Sequence, residues 1–169
     1  MNEIEFLRIT APFKDKVFRL AKRLLISTEK AEDATQEILS KLWIKSENLF
    51  KFNSVEAFAM TMTKNYCLDQ LKSKRAQNVK INHDNYTDKA PRLDKVVEDG
   101  DSLNWVEKII NQLPEQQKML IQMRDIEQYE FEEIAKILQM NEIAIRVALS
   151  RARKTIRENM TKIHSYGIE

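Results

Sequence analysis

A single cysteine, Cys67, in 169 residues permits neither an intrachain disulfide nor a cysteine zinc cluster, and its place inside a helical pattern favours a buried thiol. Glycine occurs twice and proline three times, so the chain has few of the residues that punctuate turns between short strands. Alternating β-branched runs are scarce as well, and an all-α chain is the natural reading. There is no glycine-rich phosphate loop, no HExxH helix and no nucleophile elbow. The two histidines, His83 and His164, stand far apart, in a polar stretch and near the C-terminus. No motif therefore supplies catalytic residues, a metal site or a cofactor, and an enzyme is not expected. No apolar run approaches the roughly twenty residues of a membrane span, which argues against direct membrane insertion. The charged start MNEIEFLR argues against a secretory signal.

Charge is abundant, and it is arranged by helical period. The net charge is only +2, yet from Arg146 to Arg157 five basic residues stand with no acid among them. On a 3.6-residue period Ile145, Leu149, Ala152 and Ile156 share one side. Arg146, Ser150, Arg153 and Arg157 lie about a third of a turn away, and Arg151 and Lys154 extend the basic surface. Upstream, Leu113-Pro114-Glu115 places proline at a first helical position and an acid in the first turn. That helix runs to about Glu127 and turns Leu120, Ile121 and Met123 inward. A shorter helix from Phe131 to about Leu138 buries Phe131, Ile134, Ala135 and Leu138. Gln139 to Asn141 then connects to the arginine-bearing helix, with Asn141 as its N-cap. Short helix, tight turn and basic helix make a helix-turn-helix, which sets its second helix in a DNA major groove. This turn has no glycine, so either one of its residues is strained or the turn is of another kind.

In the N-terminal half, Phe13, Val17, Leu20, Ala21 and Leu24 form the stripe of a first core helix whose start Pro12 marks. Ser27 to Trp43 opens with N-cap residues and first-turn acids. It sets Ala31, Ala34, Ile38 and Leu42 on one face and Asp33, Gln36, Glu37 and Ser40 on the other. A third helix is expected from Asn53, at capping-box spacing from Glu56, to about Arg75, with Val55, Ala59, Met62 and Tyr66 inward. Its later part carries Lys64, Asn65, Lys72, Lys74 and Arg75 beside Tyr66, with Asp69 the sole acid. Positive charge suits phosphates and an aromatic suits unstacked bases, the combination that a separated single strand needs. From Ala76 to Ser102 the periodicity gives way to a polar linker, with a short helix near Leu93 to Val97. The expected organisation is two small helical domains, residues 1–76 and 103–169, joined by a linker over 77–102. Trp105, Val106, Ile109 and Ile110 open the second.

These residues carry a family resemblance. LPEQQ, EEIAKIL and AIRVALSRARKTIRE are similar to the promoter-reading C-terminal domain of RNA polymerase sigma factors of the sigma-70 class, specifically the small two-domain extracytoplasmic-function group. Arg146 sits where that family has Lys or Arg, and Arg151 and Arg153 match its "RAR" tail. The chain departs from it at Val147 and Ala148, where many members carry a Ser-Arg pair. AEDATQEILSKLW resembles the family segment that docks on the coiled-coil clamp helices of the polymerase's largest subunit, matching at Ala31, Glu32, Asp33, Gln36, Glu37, Leu42 and Trp43. FAMTMTKNYCLDQLKSKR resembles the helix that contacts the melted downstream promoter element. Lys64, Asn65 and Asp69 match it directly, and Phe58 stands for its Trp.

The resemblance implies a cytoplasmic bacterial transcription initiation factor that binds core RNA polymerase and promoter DNA and helps to melt the duplex. It assigns polymerase contact to Asp33, Gln36 and Glu37, whose spacing also suits charge-assisted hydrogen bonds to a basic partner helix. It assigns the downstream element to Lys64, Asn65, Lys72 and Arg75, and the capture of a flipped-out base to the loop at Lys51, Phe52 and Asn53. The upstream element falls to Asn141, Arg146, Ser150, Arg151, Arg153, Lys154 and Arg157. In relatives a membrane-anchored anti-sigma factor commonly covers both surfaces, which brings such a partner into consideration, although no residue here marks a site for it. Two other readings stand beside this one: a free-standing dimeric helix-turn-helix regulator, and a helical adaptor that binds only protein. A regulator has no need of both AEDATQE and the KNYCLDQLKSKR helix.

Overall fold

In a computed structural model, which describes residues 1–81 and 102–167, the chain is helical, with no strand among the described residues. Helix α1 spans Glu3–Leu25 and starts from a reciprocal cap: Asn2 Oδ1 accepts from the Glu5 amide at 2.9 Å, and the Glu5 carboxylate accepts from the Asn2 amide at 3.1 Å. Pro12 thus lies inside α1 and does not mark its start. Pro12 and Arg8 both face water, so the Arg8 carbonyl left without its intrahelical partner can be hydrated. The added N-terminal turns bury Phe6 and Thr10, and the Phe6 ring meets Trp43 edge-on at 5.1 Å.

Helix α2, Thr28–Ile44, is capped by Ser27, whose Oγ accepts from the Lys30 amide at 3.2 Å. Its Ala31, Ala34, Ile38 and Leu42 are buried against Val17, Leu20, Ala21 and Leu24 of α1. Each of the Val, Leu and Ile side chains among them contributes roughly 1.5–3 kcal/mol of burial. A 3-10 segment, Ser46–Lys51, leads to α3, Val55–Ile81. The cap of α3 is Ser54, whose Oγ accepts from the Ala57 amide at 3.1 Å. Asn53 does not fill that role, because the Glu56 carboxylate expected to complete its box instead accepts from Lys16 Nζ at 2.8 Å and from the Tyr129 hydroxyl at 2.6 Å. The helix also continues beyond Arg75 and beyond residue 76, to Ile81. Ala59, Met60, Thr63 and Cys67 are its buried residues, while Val55, Met62 and Tyr66 are half-buried. Burial pushes the Cys67 thiol up to about 12, which keeps it protonated. His83 and the segment Leu93 to Val97 lie outside the described residues.

In the second half α4 spans Ser102–Gln112 and α5 Glu115–Leu120, with Pro114 (φ −53°, ψ 148°) as the flanking residue and not the first helical one. A π-helical turn, Ile121–Ile126, carries the chain on. Then come α6, Phe131–Leu138, and α7, Glu142–Gly167. Of the four residues expected to be buried in α6 only Ile134 is fully so; Ile137 joins it, and Phe131, Ala135 and Leu138 are half-buried. Phe131 sits at the rim because two arginines cover its ring.

The halves lie against each other, α1 on α5 and α3 on α6, and most of their buried residues form one continuous core, with Ile109 and Ile163 in a smaller cluster between α4 and α7. Arg23, buried, donates to Glu107 at 2.7 Å, Gln122 at 2.9 Å and Asn111 at 3.0 Å. Arg19 grips Glu127 through two nitrogens, at 2.5 and 2.8 Å.

Candidate nucleic-acid and polymerase surfaces

The helix-turn-helix is built from α6 and α7. Gln139 ends α6 in the left-handed region, at φ 54° and ψ 47°, which is the strained residue that a glycine-free turn requires. Asn141 Oδ1 accepts from the Ala144 amide at 2.7 Å, so this residue caps α7 and brings its Oδ1 to the bond already satisfied. Ile145, Leu149 and Ala152 are buried, which fixes the rotation of α7 and leaves Arg146, Ser150, Arg151, Arg153, Lys154 and Arg157 exposed.

These cations are not equivalent. The Arg146 guanidinium lies 4.2 Å over the Phe131 ring, and Arg124 lies 4.4 Å from the same ring. Arg153 donates to both oxygens of Asp125, at 3.1 and 2.5 Å, and that bond raises its already high pKa. Its charge is therefore largely neutralised within the protein. Lys154 and Glu158 approach only to 3.9 Å with both side chains well exposed, a pair worth little. Arg146, Arg151, Lys154 and Arg157 carry the positive charge that remains available to an anion.

On α2, Asp33, Gln36 and Glu37 are all exposed on the face opposite the buried alanines. Glu37 pairs with Lys41 at 3.4 Å along the helix. Beside them Gln36, Leu39, Trp43 and Ile44 line a shallow open groove, with Ile44 80% exposed. Acid, amide and apolar surface are thus contiguous, a combination that suits a basic amphipathic helix.

The residues expected to meet the downstream element differ in how freely they stand. Asn65 and Lys72 are exposed on α3. Lys64 is half-buried and donates to the Ile137 carbonyl at 3.0 Å, at the C-terminal end of α6, where a cation is favoured. Burial lowers the pKa of Lys64. Arg75 is bonded to Glu115 of α5. Two of the four cationic or polar groups on α3 are therefore engaged by the second half of the chain. In the loop, Lys51 and Asn53 are exposed, and Phe52 stacks on Phe58 with ring centroids 4.1 Å apart and planes 13° from parallel. The neighbouring Phe50 is 78% exposed.

Sequence reasoning missed the contacts between halves. Burial raises the Glu127 carboxyl, but the hydrogen bond and charge of Arg19, the Gln122 amide and Lys16 outweigh it, and the net pKa is lowered. Burial first, then the bond to Glu56, pushes the Tyr129 phenol well above its usual range. These partners lie far apart in sequence, and no local pattern announces them. Among the described residues no group of three or more His, Cys, Asp or Glu side chains could hold a metal ion, and no helix is long and apolar enough to cross a membrane.

Comparison with known proteins bears on both halves. The family model for sigma-70 region 2 matches residues 11–77, and that for sigma-70 region 4 matches residues 103–156. The extracytoplasmic-function RNA polymerase sigma factor SigE of Mycolicibacterium smegmatis is 24% identical over 151 residues, which cover 88% of this chain; the chain spans only 58% of that relative's length. SigW of Bacillus subtilis, likewise an extracytoplasmic-function sigma factor, is 20% identical over 165 residues, covering 92% of this chain and 88% of SigW. Among solved structures, the sigma factor RpoE of Bartonella quintana, in complex with the anti-sigma factor NepR, is similar in fold. Its TM-score is 0.74 at 22% identity, over 93% of this chain and 97% of that one.

Proposed function

Because the chain belongs to the sigma-70 family of RNA polymerase sigma factors, in its extracytoplasmic-function group, we propose that it binds core RNA polymerase and directs it to specific promoters. The observation that carries this reading is the presence on one chain of both regions, one bearing the exposed Asp33, Gln36 and Glu37 face and the other the basic face of α7. In the proposed division, residues 1–76 hold the polymerase clamp and the downstream element, 77–102 link, and 103–169 read the upstream element. Asn141, Arg146, Ser150, Arg151, Arg153, Lys154 and Arg157 serve phosphates and base edges of the duplex, with phosphate contacts fixing register and base contacts giving selectivity. Lys64, Asn65, Lys72 and Arg75, with Lys51, Phe52 and Asn53, take the separated strand. Strand opening draws on higher affinity for the opened form than for the duplex. Polymerase performs the chemistry and this chain is not an enzyme; it acts in the cytoplasm. A structural relative solved with an anti-sigma factor supports a partner of that class here.

The free-standing regulator is disfavoured, since a region 2 that spans nearly the whole N-terminal half has no purpose in it. Titration of core RNA polymerase with the full chain tests the proposal. Wild type is expected to bind, and a variant carrying Asp33→Lys and Glu37→Lys to bind more weakly by about 1.5–3 kcal/mol per lost charged hydrogen bond, with unchanged helix content. Equal affinity of the two proteins would remove the α2 face from the interface. No binding by wild type would overturn the proposal.

A further inference from the structure

Two apolar side chains stand in water on the helix that carries the basic face. Ile143 is 76% exposed and Val147 44%, whereas Ile145, Leu149 and Ala152 of the same helix are almost wholly buried. Spaced four residues apart, Ile143 and Val147 continue into Ser150 and Lys154 as one exposed stripe. They lie in the first two turns of α7, the part of a recognition helix that reaches base edges. Arg146 and Arg151 flank the stripe, and Arg146 is steadied over Phe131.

A cationic rim around a narrow apolar stripe selects a partner that is anionic and also presents small apolar groups. The major groove of duplex DNA has phosphates along its edges and the thymine C5-methyl on its floor. We propose that Ile143 and Val147 are specificity-determining residues that read thymine methyl groups in the upstream element by apolar contact. This inference rests on the reading of α7 as the promoter-reading helix. Neither side chain can donate or accept a hydrogen bond, so the discrimination they supply is methyl burial alone. Along the helix they are about 6 Å apart. That is close to two base steps of ~3.4 Å, so the two methyls fall within about three base pairs of each other.

The test uses the full chain on core RNA polymerase and duplexes selected by that complex from a random pool. Each thymine of the selected upstream element is replaced in turn by deoxyuridine, which removes the methyl and keeps every hydrogen-bonding group. Wild type is expected to lose about fourfold in affinity at one or two positions, the factor corresponding to ~0.8 kcal/mol per buried methyl. Val147→Ala and Ile143→Ala, both at exposed positions, are each expected to bind the thymine duplex more weakly and to become indifferent to deoxyuridine at one of those positions. A selected element without thymine, a flat deoxyuridine scan, or equal losses in wild type and variants would overturn the inference while leaving promoter recognition by α7 intact. Failure to select any sequence would overturn the reading of α7 itself.

Discussion

Gln139 holds a left-handed backbone in the turn between α6 and α7, where its Cβ crowds the following carbonyl at a cost of roughly 1–2 kcal/mol. Glycine takes that conformation freely but brings more entropy to the unfolded chain. The balance predicts that Gln139→Gly raises stability by about 0.5–1 kcal/mol. A higher urea midpoint with an unchanged slope would show it, and a lower midpoint would mean that the Gln139 side chain contributes more than the strain costs. The sequence left open whether this glycine-free turn holds a strained residue or is of another kind, and did not single out Gln139; the Ser27 and Asn141 caps were legible, because each is a short polar residue directly before an apolar-periodic run. The choice of Ser54 over Asn53 was not legible. Both are competent caps, and the outcome turns on Glu56 being held by Lys16 and Tyr129, one of which lies in the other half of the chain.

At the scale of elements, hydrophobic period located the helices, and their ends depended on competing terms. Proline at position 12 reads as a start, yet a complete capping box at Asn2 and the burial of Phe6 and Thr10 carry α1 through it. Helix α3 is the element whose function is most open to measurement. Lys64→Ala, Lys72→Ala and Arg75→Ala combined are expected to impair promoter opening more than recruitment, since the proposed division leaves the upstream element to the other half. Each lost phosphate contact on a single strand lowers the salt slope by about 0.7, so the triple variant is expected to show a shallower slope as well as fewer unpaired thymines on a linear promoter. A slope change equal to that of one charge would mean that Lys64 stays with Ile137 and Arg75 with Glu115 during opening.

At the scale of the whole molecule the halves are joined by more than a linker. Arg23 is buried among Glu107, Asn111 and Gln122, and removing one member of such a buried charged set typically costs about 3–5 kcal/mol. Glu107 keeps a side chain 55% exposed, so Arg23→Ala is expected at the low end, about 3 kcal/mol, together with a larger radius in small-angle scattering. An unchanged radius would show that the apolar contacts of α1 with α5 and α3 with α6 suffice to hold the halves together. None of this was legible locally, because pairs such as Arg19 with Glu127 join residues from different halves of the chain, and charge at a helix surface reads the same whether it meets water or a partner. The central claim, that this chain gives RNA polymerase its promoter choice, is tested most directly by transcription from purified components on a genomic fragment pool. Core polymerase with this chain is expected to yield discrete start sites that share an upstream and a downstream element and that core polymerase alone does not produce. Transcripts no more specific than those of core polymerase alone, with the chain binding duplex DNA as a free dimer, would contradict it.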